Sequence, residues 1–201
     1  MSGFDRVAPY YDRLKHLIYG YRLETLESSV LDMIDTDAAN ILIVGGGTGS
    51  MLPLVLNKFS GEIDYVESSQ RMISRAMRWS DSPRVHFHHS LLQEFRLKSY
   101  DVIITSFFLD VLAEHELEVQ VRRLSEALSP FGRWLYADFA YPVDLSHKIL
   151  LTAMLSFFRI SAGLQASDLY DHSSQIMRTG LSVIDQTDAM NGFLAGKIFG
   201  K

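Results

Sequence analysis

The stretch that decides the fold is NILIVGGGTGSMLPLV, residues 40–55. Four consecutive apolar residues lead into four glycines within five positions, and a second apolar segment follows. The glycines are Gly45, Gly46, Gly47 and Gly49. An apolar run that ends in glycines and continues into helical spacing predicts a buried strand, a tight turn and the start of a helix. Because glycine tolerates positive φ and has no Cβ, the turn also predicts a close approach between its backbone and a ligand.

Composition limits the classes of protein to which the chain can belong. It has 201 residues, of which 47% are hydrophobic and 21% charged, and this predicts one globular domain with a full core. A net charge of -5 argues against nucleic acid or an anionic membrane as the main partner, because both are polyanions. The chain has no cysteine, which excludes disulfides, thiolate metal sites and a cysteine nucleophile.

Two further stretches bear on localisation. The N-terminal segment MSGFDRVAPYYDRL lacks the apolar region of a secretory signal peptide. The longest apolar tract, residues 148–164, contains Arg159 and is too short to cross a bilayer. The sequence therefore predicts a cytoplasmic protein without a transmembrane segment.

Strand-like and helix-like segments alternate along most of the chain. Five strands are predicted, at residues 41–44, 62–67, 84–89, 100–108 and 133–140. Helical spacing between them predicts parallel strands with right-handed crossovers and helices on both faces of the sheet. Near the end of the chain, two short β-runs flank Asn191-Gly192, a dipeptide typical of hairpins. We therefore expect a doubly wound α/β fold whose parallel sheet is closed by an antiparallel hairpin.

The spacing of the glycines separates two kinds of ligand. A dinucleotide fingerprint, G-x-G-x-x-G/A, that starts at Gly45 requires Gly or Ala at position 50, where this chain has Ser50. The loop instead reads G-x-G-x-G, which disfavours the alternative of an NAD(P)-dependent oxidoreductase. Glu67 stands at the end of the second predicted strand, where a carboxylate can accept hydrogen bonds from both hydroxyls of a ribose.

The G-x-G-x-G loop followed by Glu67 resembles motif I of the class I S-adenosylmethionine-dependent methyltransferases. The segments FDRVAPYYDRL, GRWLYADFAYP and FFRISAGLQASDL are similar to parts of the small-molecule methyltransferases of ubiquinone and menaquinone biosynthesis. The resemblance implies a seven-stranded sheet with a final hairpin. It also implies S-adenosylmethionine as cofactor, S-adenosylhomocysteine as product, and methyl transfer to a small apolar or aromatic acceptor.

On this basis we expect a single methyltransferase-like domain in four parts. Residues 1–38 are predicted to form a helical cap, and residues 39–143 the cofactor-binding core. Residues 144–180 are predicted as a helical insert near the substrate, and residues 181–201 as the terminal hairpin. The apolar helix of the insert fits a substrate pocket or a second subunit equally well, so a monomer and a homodimer both stay open.

The resemblance also implies a set of cofactor-binding residues. The glycines of the loop are expected to face the methionine and ribose parts of the cofactor, and Glu67 to hold the ribose hydroxyls. Tyr10 and Tyr11 are expected to close over the sulfonium, whose positive charge suits aromatic faces. The residues implied for the adenine and methionine ends are Ser68, Ser90, Leu91, Leu92, Thr105, Ser106 and Phe107.

Two positions depart from the family pattern. Ile43 stands where the family usually has Asp or Glu, two residues before the first glycine. Ser90 stands where the family commonly has an Asp that accepts from the adenine amino group. Each lost charge-assisted hydrogen bond costs about 1–3 kcal/mol of binding free energy. Both substitutions support the alternative of a non-catalytic protein of the same fold that binds S-adenosylmethionine or S-adenosylhomocysteine, or that acts as a scaffold.

Side chains for catalysis or metal binding give a weaker signal. Asp110 and Asp138, near the carboxyl ends of two strands, are candidate bases, and His147 in the insert is a third. His172 is expected at the surface, the more common location for a histidine of such a segment. The segment HFHHS, residues 86–90, has histidines but no further predicted ligand, so we expect no metal.

Overall fold

The structure is a computed structural model. It describes residues 5, 8–11, 13, 16, 19–34, 37–140, 148–149, 152 and 170–201. Its strands are β1 (Asn40–Val44), β2 (Glu62–Glu67), β3 (Val85–His89), β4 (Tyr100–Ser106), β5 (Leu128–Phe139), β6 (Ser182–Ala189) and β7 (Leu194–Gly200).

The seven strands form one sheet in the order β3-β2-β1-β4-β5-β7-β6. Strands β1 to β5 pair in parallel. Strand β7 lies between β5 and β6 and is antiparallel to both. The turn between β6 and β7 has positive φ at Met190, Asn191 and Gly192, as a tight hairpin requires. The expected doubly wound sheet with a C-terminal antiparallel hairpin is confirmed.

The helices described by the structure lie on both faces of this sheet. They are α1 (Arg22–Asp32), α2 (Leu52–Lys58), α3 (Gln70–Ala76), a 3-10 turn (Leu109–Val111), α4 (Glu114–Ala127) and α5 (His172–Met177). Local chemistry sets several helix starts. Pro53 occupies the first turn of α2, where its missing N–H is not needed. The hydroxyl of Ser69 accepts from the backbone N–H of Met72 and caps α3.

Two apolar clusters explain why the central strands have continuous apolar sequences. Alternate side chains of a strand point to opposite faces, so Ile43 packs on the α1 and α2 side and Leu42 on the α4 side. Both faces are covered, which leaves no polar face on β1. Gly196 of β7 faces Val30 of α1, and a Cβ at that position would overlap the valine side chain. Helix α1 therefore rests directly on the terminal hairpin.

Some predicted boundaries differ from the structure. Strand β5 begins at Leu128 rather than at residue 133, because α4 leads straight into it and Leu128 pairs with Tyr100. A register shift next to that pair accommodates Pro130, which has no N–H to donate. Strand β4 ends at Ser106 rather than at residue 108, because Phe107 adopts a left-handed conformation with φ 50.

Other predicted parts of the chain are described only partly. Helix α1, at residues 22–32, lies within the predicted helical cap of residues 1–38. Helix α5 lies within the predicted helical insert of residues 144–180, and most of that insert lies outside the described residues. The four-part division of the chain stays a prediction. Within the described ranges, no helix combines the length and the apolar character needed to cross a bilayer.

Candidate cofactor site

A cleft opens at the carboxyl ends of β1 and β4, the edge at which α/β sheets bind ligands. Its empty volume is about 540 Å³ and it is open to solvent. The walls are the glycine loop, one side of α1 and the end of β4, with Tyr11 and Phe107 at its border. The loop singled out by the sequence therefore does line a cleft.

The four glycines of the loop serve two purposes. Gly45, Gly47 and Gly49 have φ values of 62, 59 and 83°, which a residue with a side chain rarely adopts. A Cβ at Gly45, Gly46 or Gly49 would overlap the side chain of Phe108, Tyr65 or Ala76, respectively. These three glycines let the loop pack tightly onto the protein. A Cβ added at Gly47 would have Cε1 of Tyr11 as its nearest neighbour, 4.0 Å away, so this glycine leaves room within the cleft.

Glu67 anchors the glycine loop to the end of β2. Its Oε2 accepts from the backbone N–H of Gly47 at 3.1 Å, and its Oε1 accepts from the N–H of Ser69 at 2.8 Å. Burial raises the pKa of this carboxyl, and the backbone hydrogen bonds oppose that rise. The hydroxyl of Tyr65 donates to the carbonyl oxygen of Gly47 at 3.0 Å. The peptide groups of Gly47 are therefore held on both sides.

A second carboxylate lines the cleft from α1. Glu27 is 5% exposed, and its Oε1 accepts from the hydroxyl of Ser106 at 2.6 Å. Ile43 also lines the cleft and is buried. Glu27 was not among the residues predicted from the sequence, although a signal exists: it lies in the apolar stripe of α1, four residues after Leu23 and three before Val30. A carboxylate in such a stripe is unusual unless it is paired or functional.

The sequence and the fold of this chain are both similar to those of known proteins. The model of a methyltransferase domain family matches residues 41–132, which contain the glycine loop, Glu67 and α4. The fold is similar to that of the N-methyltransferase NodS from Bradyrhizobium japonicum in complex with S-adenosylhomocysteine. The TM-score is 0.64 at 14% identity, with 94% of this chain and 86% of NodS covered.

Residues 41–132 match a methyltransferase domain, and the chain has the fold of the class I S-adenosylmethionine-dependent methyltransferases. The methyltransferase domain and the S-adenosylhomocysteine bound to NodS indicate S-adenosylmethionine as the cofactor.

Two other solved structures share the fold of this methyltransferase. One is the complex between the Haloferax volcanii Trm112 methyltransferase activator and the putative methyltransferase, with a TM-score of 0.76, 12% identity and coverage of 100% of this chain and 98% of that chain. The other is the mitomycin 7-O-methyltransferase MmcR, with a TM-score of 0.71 and 16% identity. The similarity covers 100% of this chain and 61% of MmcR. No curated protein matches the sequence of the methyltransferase.

The residues around the cleft suit this cofactor. Gly47 leaves space where a ligand can approach the backbone, and the aromatic ring of Tyr11 faces that space. Glu67 stands at the adjacent strand end, where its carboxylate accepts from Gly47, Ser68 and Ser69; it is 7% exposed and is not part of the described lining of the cleft.

The predicted residues at the methionine end fall on different sides of the sheet. Ser106 and Phe107 line the cleft. Thr105 is 1% exposed, and its hydroxyl accepts from the indole N–H of Trp134 at 2.9 Å, on the α4 side of the sheet. Tyr11 borders the cleft, whereas Tyr10 is 67% exposed and does not line it.

The predicted residues at the adenine end lie outside the described lining of the cleft. The hydroxyl of Ser68 is 3.4 Å from Oε1 of Glu67. Ser90 donates to the carbonyl oxygen of Leu91 at 2.9 Å, and Leu91 itself is half exposed. Leu92 is buried and packs into the apolar cluster under α4. Of these residues, Ser68 is held directly against the Glu67 carboxylate.

A buried acidic pair occupies the ends of β4 and β5. Asp110 lies in the 3-10 turn and Asp138 near the end of β5, and one oxygen of each is buried without a hydrogen-bond partner among the described residues. Burial raises the pKa of Asp110 to about 7. Burial, with the charge of Asp110 as a further cause, raises the pKa of Asp138 well above its ordinary value. At neutral pH the pair therefore retains at least one proton.

His172 extends this cluster, and the expectation of a surface histidine was wrong. It is 2% exposed, because α5 packs against the sheet, and its Nδ1 lies 3.3 Å from the hydroxyl of Tyr136 and 3.7 Å from Oδ2 of Asp138. Burial lowers the pKa of His172 to about 4, so the ring is neutral at pH 7. His147, the third predicted base, lies outside the described residues.

The histidines of strand β3 each have a partner of their own. His86 and His88 are 2.8 Å from carboxylate oxygens of Glu62 and Asp64, respectively. Nε2 of His89 is 3.0 Å from the carbonyl oxygen of Ser68. Within the part of the chain that the structure describes, no group of three or more His, Asp or Glu side chains is arranged to hold a metal ion.

Proposed function

We propose that this methyltransferase transfers the methyl group of S-adenosylmethionine to a small apolar or aromatic molecule. The observation that carries the proposal is the aromatic ring of Phe107 in the wall of the cleft. Buried aromatic residues pack behind it: the ring centroid of Phe139 lies 5.1 Å and that of Tyr19 6.3 Å from the ring of Phe107. Leu23, Ile43 and Ile104 add apolar side chains to the lining. A cleft with an aromatic ring and apolar side chains in its wall favours the binding of an apolar or aromatic acceptor.

Similar proteins support a small acceptor. MmcR is a mitomycin 7-O-methyltransferase and NodS an N-methyltransferase, and both share the fold of this chain over more than nine-tenths of its length. At sequence identities of 16% and 14%, the similarity to these two proteins shows a shared fold and not a shared acceptor. The ring of Phe107 in the cleft wall is what extends the proposal to this chain.

We assign the following roles to the chain's own residues. Glu67 accepts from the ribose hydroxyls while it holds the loop, and the open face of Gly47 admits the cofactor to the backbone. Tyr11 covers the sulfonium through its aromatic face. When bound, S-adenosylmethionine supplies an electrophilic methyl group, and the protein's part is to orient it and to exclude water.

The experiment is a calorimetric titration followed by a turnover assay. S-Adenosylmethionine and S-adenosylhomocysteine are expected to bind, and NAD is not. Radiolabelled methyl transfer is then measured with a panel of phenols, aromatic amines and aliphatic amines of similar size. Transfer to an aromatic member supports the proposal. Transfer only to aliphatic members, or binding of both adenosyl ligands without turnover of any acceptor, contradicts it, and the second outcome supports the non-catalytic alternative.

A second candidate function is methylation of a macromolecule together with a protein activator. The observation that favours it is the TM-score of 0.76 to the methyltransferase complexed with the Haloferax Trm112 activator, over the whole of this chain. Strand β3 is an edge strand that pairs with β2 alone in the described sheet, and an edge can accept a strand from a partner. An affinity pull-down from the source cells that recovers a stoichiometric partner required for cofactor binding favours this candidate, whereas full cofactor affinity of the isolated chain argues against it.

A further inference from the structure

We propose that the buried acids Asp110 and Asp138 are positioning residues, which share one proton and so fasten the turn after β4 to the end of β5. This turn, residues 107–111, carries Phe107 in the wall of the cleft and Phe108 against the glycine loop. The inference rests on the use of S-adenosylmethionine by the cleft. It adds two side chains that support the site from outside its described lining.

Each of the two acids has one oxygen without a hydrogen-bond donor among the described residues. These oxygens are Oδ1 of Asp110 and Oδ2 of Asp138, and both are buried. The other oxygen of Asp138 accepts from the backbone N–H of Phe139 at 2.8 Å. Two buried carboxylates that interact cannot both ionise without a large cost, and one proton held between two acceptors provides the missing donor for both.

The neighbouring titratable groups leave this proton to the two acids. Nδ1 of His172 is 3.7 Å from Oδ2 of Asp138, beyond hydrogen-bond length, and 3.3 Å from the hydroxyl of Tyr136. The ring of His172 is neutral at pH 7, so it supplies no positive charge to the pair. Tyr19 and Asp171 also interact with this cluster, and neither is a cation.

The acid pair joins the turn to strand β5. Burial and then the charge of Asp110 raise the pKa of Asp138, while the backbone N–H groups of Asp110 and Leu109 act in the opposite direction. The side chain at the end of β5 therefore meets both the carboxyl group and the backbone of the turn. A further bond lies beside it, since the backbone N–H of Phe107 donates to the carbonyl oxygen of Ala137 at 2.8 Å.

The backbone of Phe107 requires such support. Its φ of 50° lies in the left-handed region, which is unfavourable for a bulky residue and persists only where the surrounding structure imposes it. This conformation ends β4 and places Phe107 in the cleft wall. The next side chain, Phe108, lies so close to Gly45 that a Cβ there would overlap its ring. A turn detached from β5 would therefore change both the cleft wall and the packing of the glycine loop.

The test compares a disruptive variant with a neutral one of the same shape. In Asp138→Ala, the affinity for S-adenosylhomocysteine measured by calorimetry is expected to fall roughly fivefold to thirtyfold. Asp138→Asn keeps an acceptor for the N–H of Phe139 and offers an amide N–H to Asp110 in place of the shared proton. Its affinity is expected to stay within about twofold of the wild-type value.

A matched control separates binding from stability. Tyr136→Phe removes the buried contact with His172, two residues before Asp138 on the same strand. It is expected to lower the unfolding free energy, measured by urea denaturation, and to leave the affinity unchanged. If Asp138→Ala does not fold, Asp110→Ala with Asp110→Asn as its neutral counterpart provides the same comparison.

A double-mutant cycle tests the connection through the turn. Phe108→Ala removes the ring that packs on Gly45 and is itself expected to weaken binding. If the acid pair acts by placing this ring, Asp138→Ala reduces the affinity less in the Phe108→Ala background than in the wild type. Losses that simply add place the effect outside the turn and overturn the proposal.

The remaining outcomes are equally decisive. Loss in Asp138→Ala together with recovery in Asp138→Asn supports the proposal. Wild-type affinity in a folded Asp138→Ala overturns it, since the pair then contributes to stability alone. Equal losses in both variants overturn the shared proton. A wild-type protein that does not bind S-adenosylhomocysteine contradicts cofactor use by the cleft, and that result is distinct from a failure of the positioning role.

Discussion

The carboxylate of Glu67 and the backbone N–H of Gly47 are joined by a hydrogen bond of 3.1 Å across 20 residues of sequence. The end of β2 thus fixes the one glycine of the loop that faces open space in the cleft. The glycine loop and the acidic strand end, two separate signals in the sequence, form one unit in the structure.

We expect Glu67→Gln to weaken both the loop and the site. The amide places an NH2 donor against one of two backbone N–H donors, and the buried mismatch costs about 1–3 kcal/mol of unfolding free energy. The affinity for S-adenosylhomocysteine is expected to fall about tenfold or more. Urea denaturation and calorimetry measure the two effects. Glu62→Gln, at the exposed start of β2, is the control. An equal loss for the deoxyribose analogue would show that Glu67 acts through the loop and not through the ribose hydroxyls.

Gly47→Ala is expected to impair cofactor binding beyond its effect on stability. Its φ of 59° makes alanine unfavourable by about 1–2 kcal/mol, and the added methyl enters the cleft. Gly20 has a φ of 57°, and a Cβ added there would have no other atom within 4 Å, so Gly20→Ala imposes a similar strain outside the loop. Both variants are expected to lower the unfolding free energy alike, and only Gly47→Ala to lower cofactor affinity. Similar affinities in the two variants would remove Gly47 from the binding surface.

Thr105→Val is expected to affect stability and not binding. The change removes the acceptor of the Trp134 indole N–H, which is buried, and an unpartnered donor there costs about 1–3 kcal/mol. Because the Thr105 side chain lies on the α4 side of the sheet, the affinity for S-adenosylhomocysteine is expected to stay within about twofold. Calorimetry tests this directly. A large loss of affinity would restore Thr105 to the cofactor site that the family resemblance implies.

Asp110 is expected to make the protein less stable as the pH rises. Its folded-state pKa is about 7, whereas an aspartate in an unfolded chain titrates near about 4. Between these values the folded state binds more protons, so the unfolding free energy falls as the pH increases from about 4 to about 7 and then levels off. Asp110→Asn cannot ionise and is expected to reduce this slope. Urea denaturation at several pH values measures it, and an unchanged slope contradicts the assignment.

His172 is expected to act in the opposite direction. Its folded-state pKa is about 4, whereas an unfolded histidine titrates near about 6.5. The unfolded state binds more protons between these values, so this residue lowers the unfolding free energy as the pH falls from about 6.5 to about 4. His172→Gln is expected to lose less stability than the wild type between pH 7 and pH 5. An identical loss in both proteins would place the acid sensitivity elsewhere.

Local sequence features were sufficient to predict much of the fold. The apolar run before Gly45 is a strand because both faces of β1 are covered, and Asn191-Gly192 forms the hairpin turn because both residues adopt positive φ. These features depend on a few neighbouring residues. The start of β5 could not be placed in the same way, because its first pair, Tyr100 with Leu128, involves residues far apart in the chain.

The site was harder to predict for the same reason. Where helices cover both faces of a sheet, an apolar strand gives no sign of which side each residue faces, so Thr105 and Ser106 could not be told apart. The Glu27–Ser106 bond spans 79 residues, and its carboxylate comes from a helix outside the recognised motif. The burial of His172 follows from the packing of α5 on the sheet, which its own segment does not encode.

The close contact between α1 and Gly196 has a consequence for the order of assembly during synthesis. A chain that leaves the ribosome from its N-terminus exposes α1 first, but the surface on which Leu26 and Val30 rest is completed only when β7 has emerged. The nascent half of the sheet around β1 and β4 can pair earlier. A nascent chain stalled before residue 194 therefore has every residue of the described cleft lining but lacks the strand on which the helix that carries Glu27 rests.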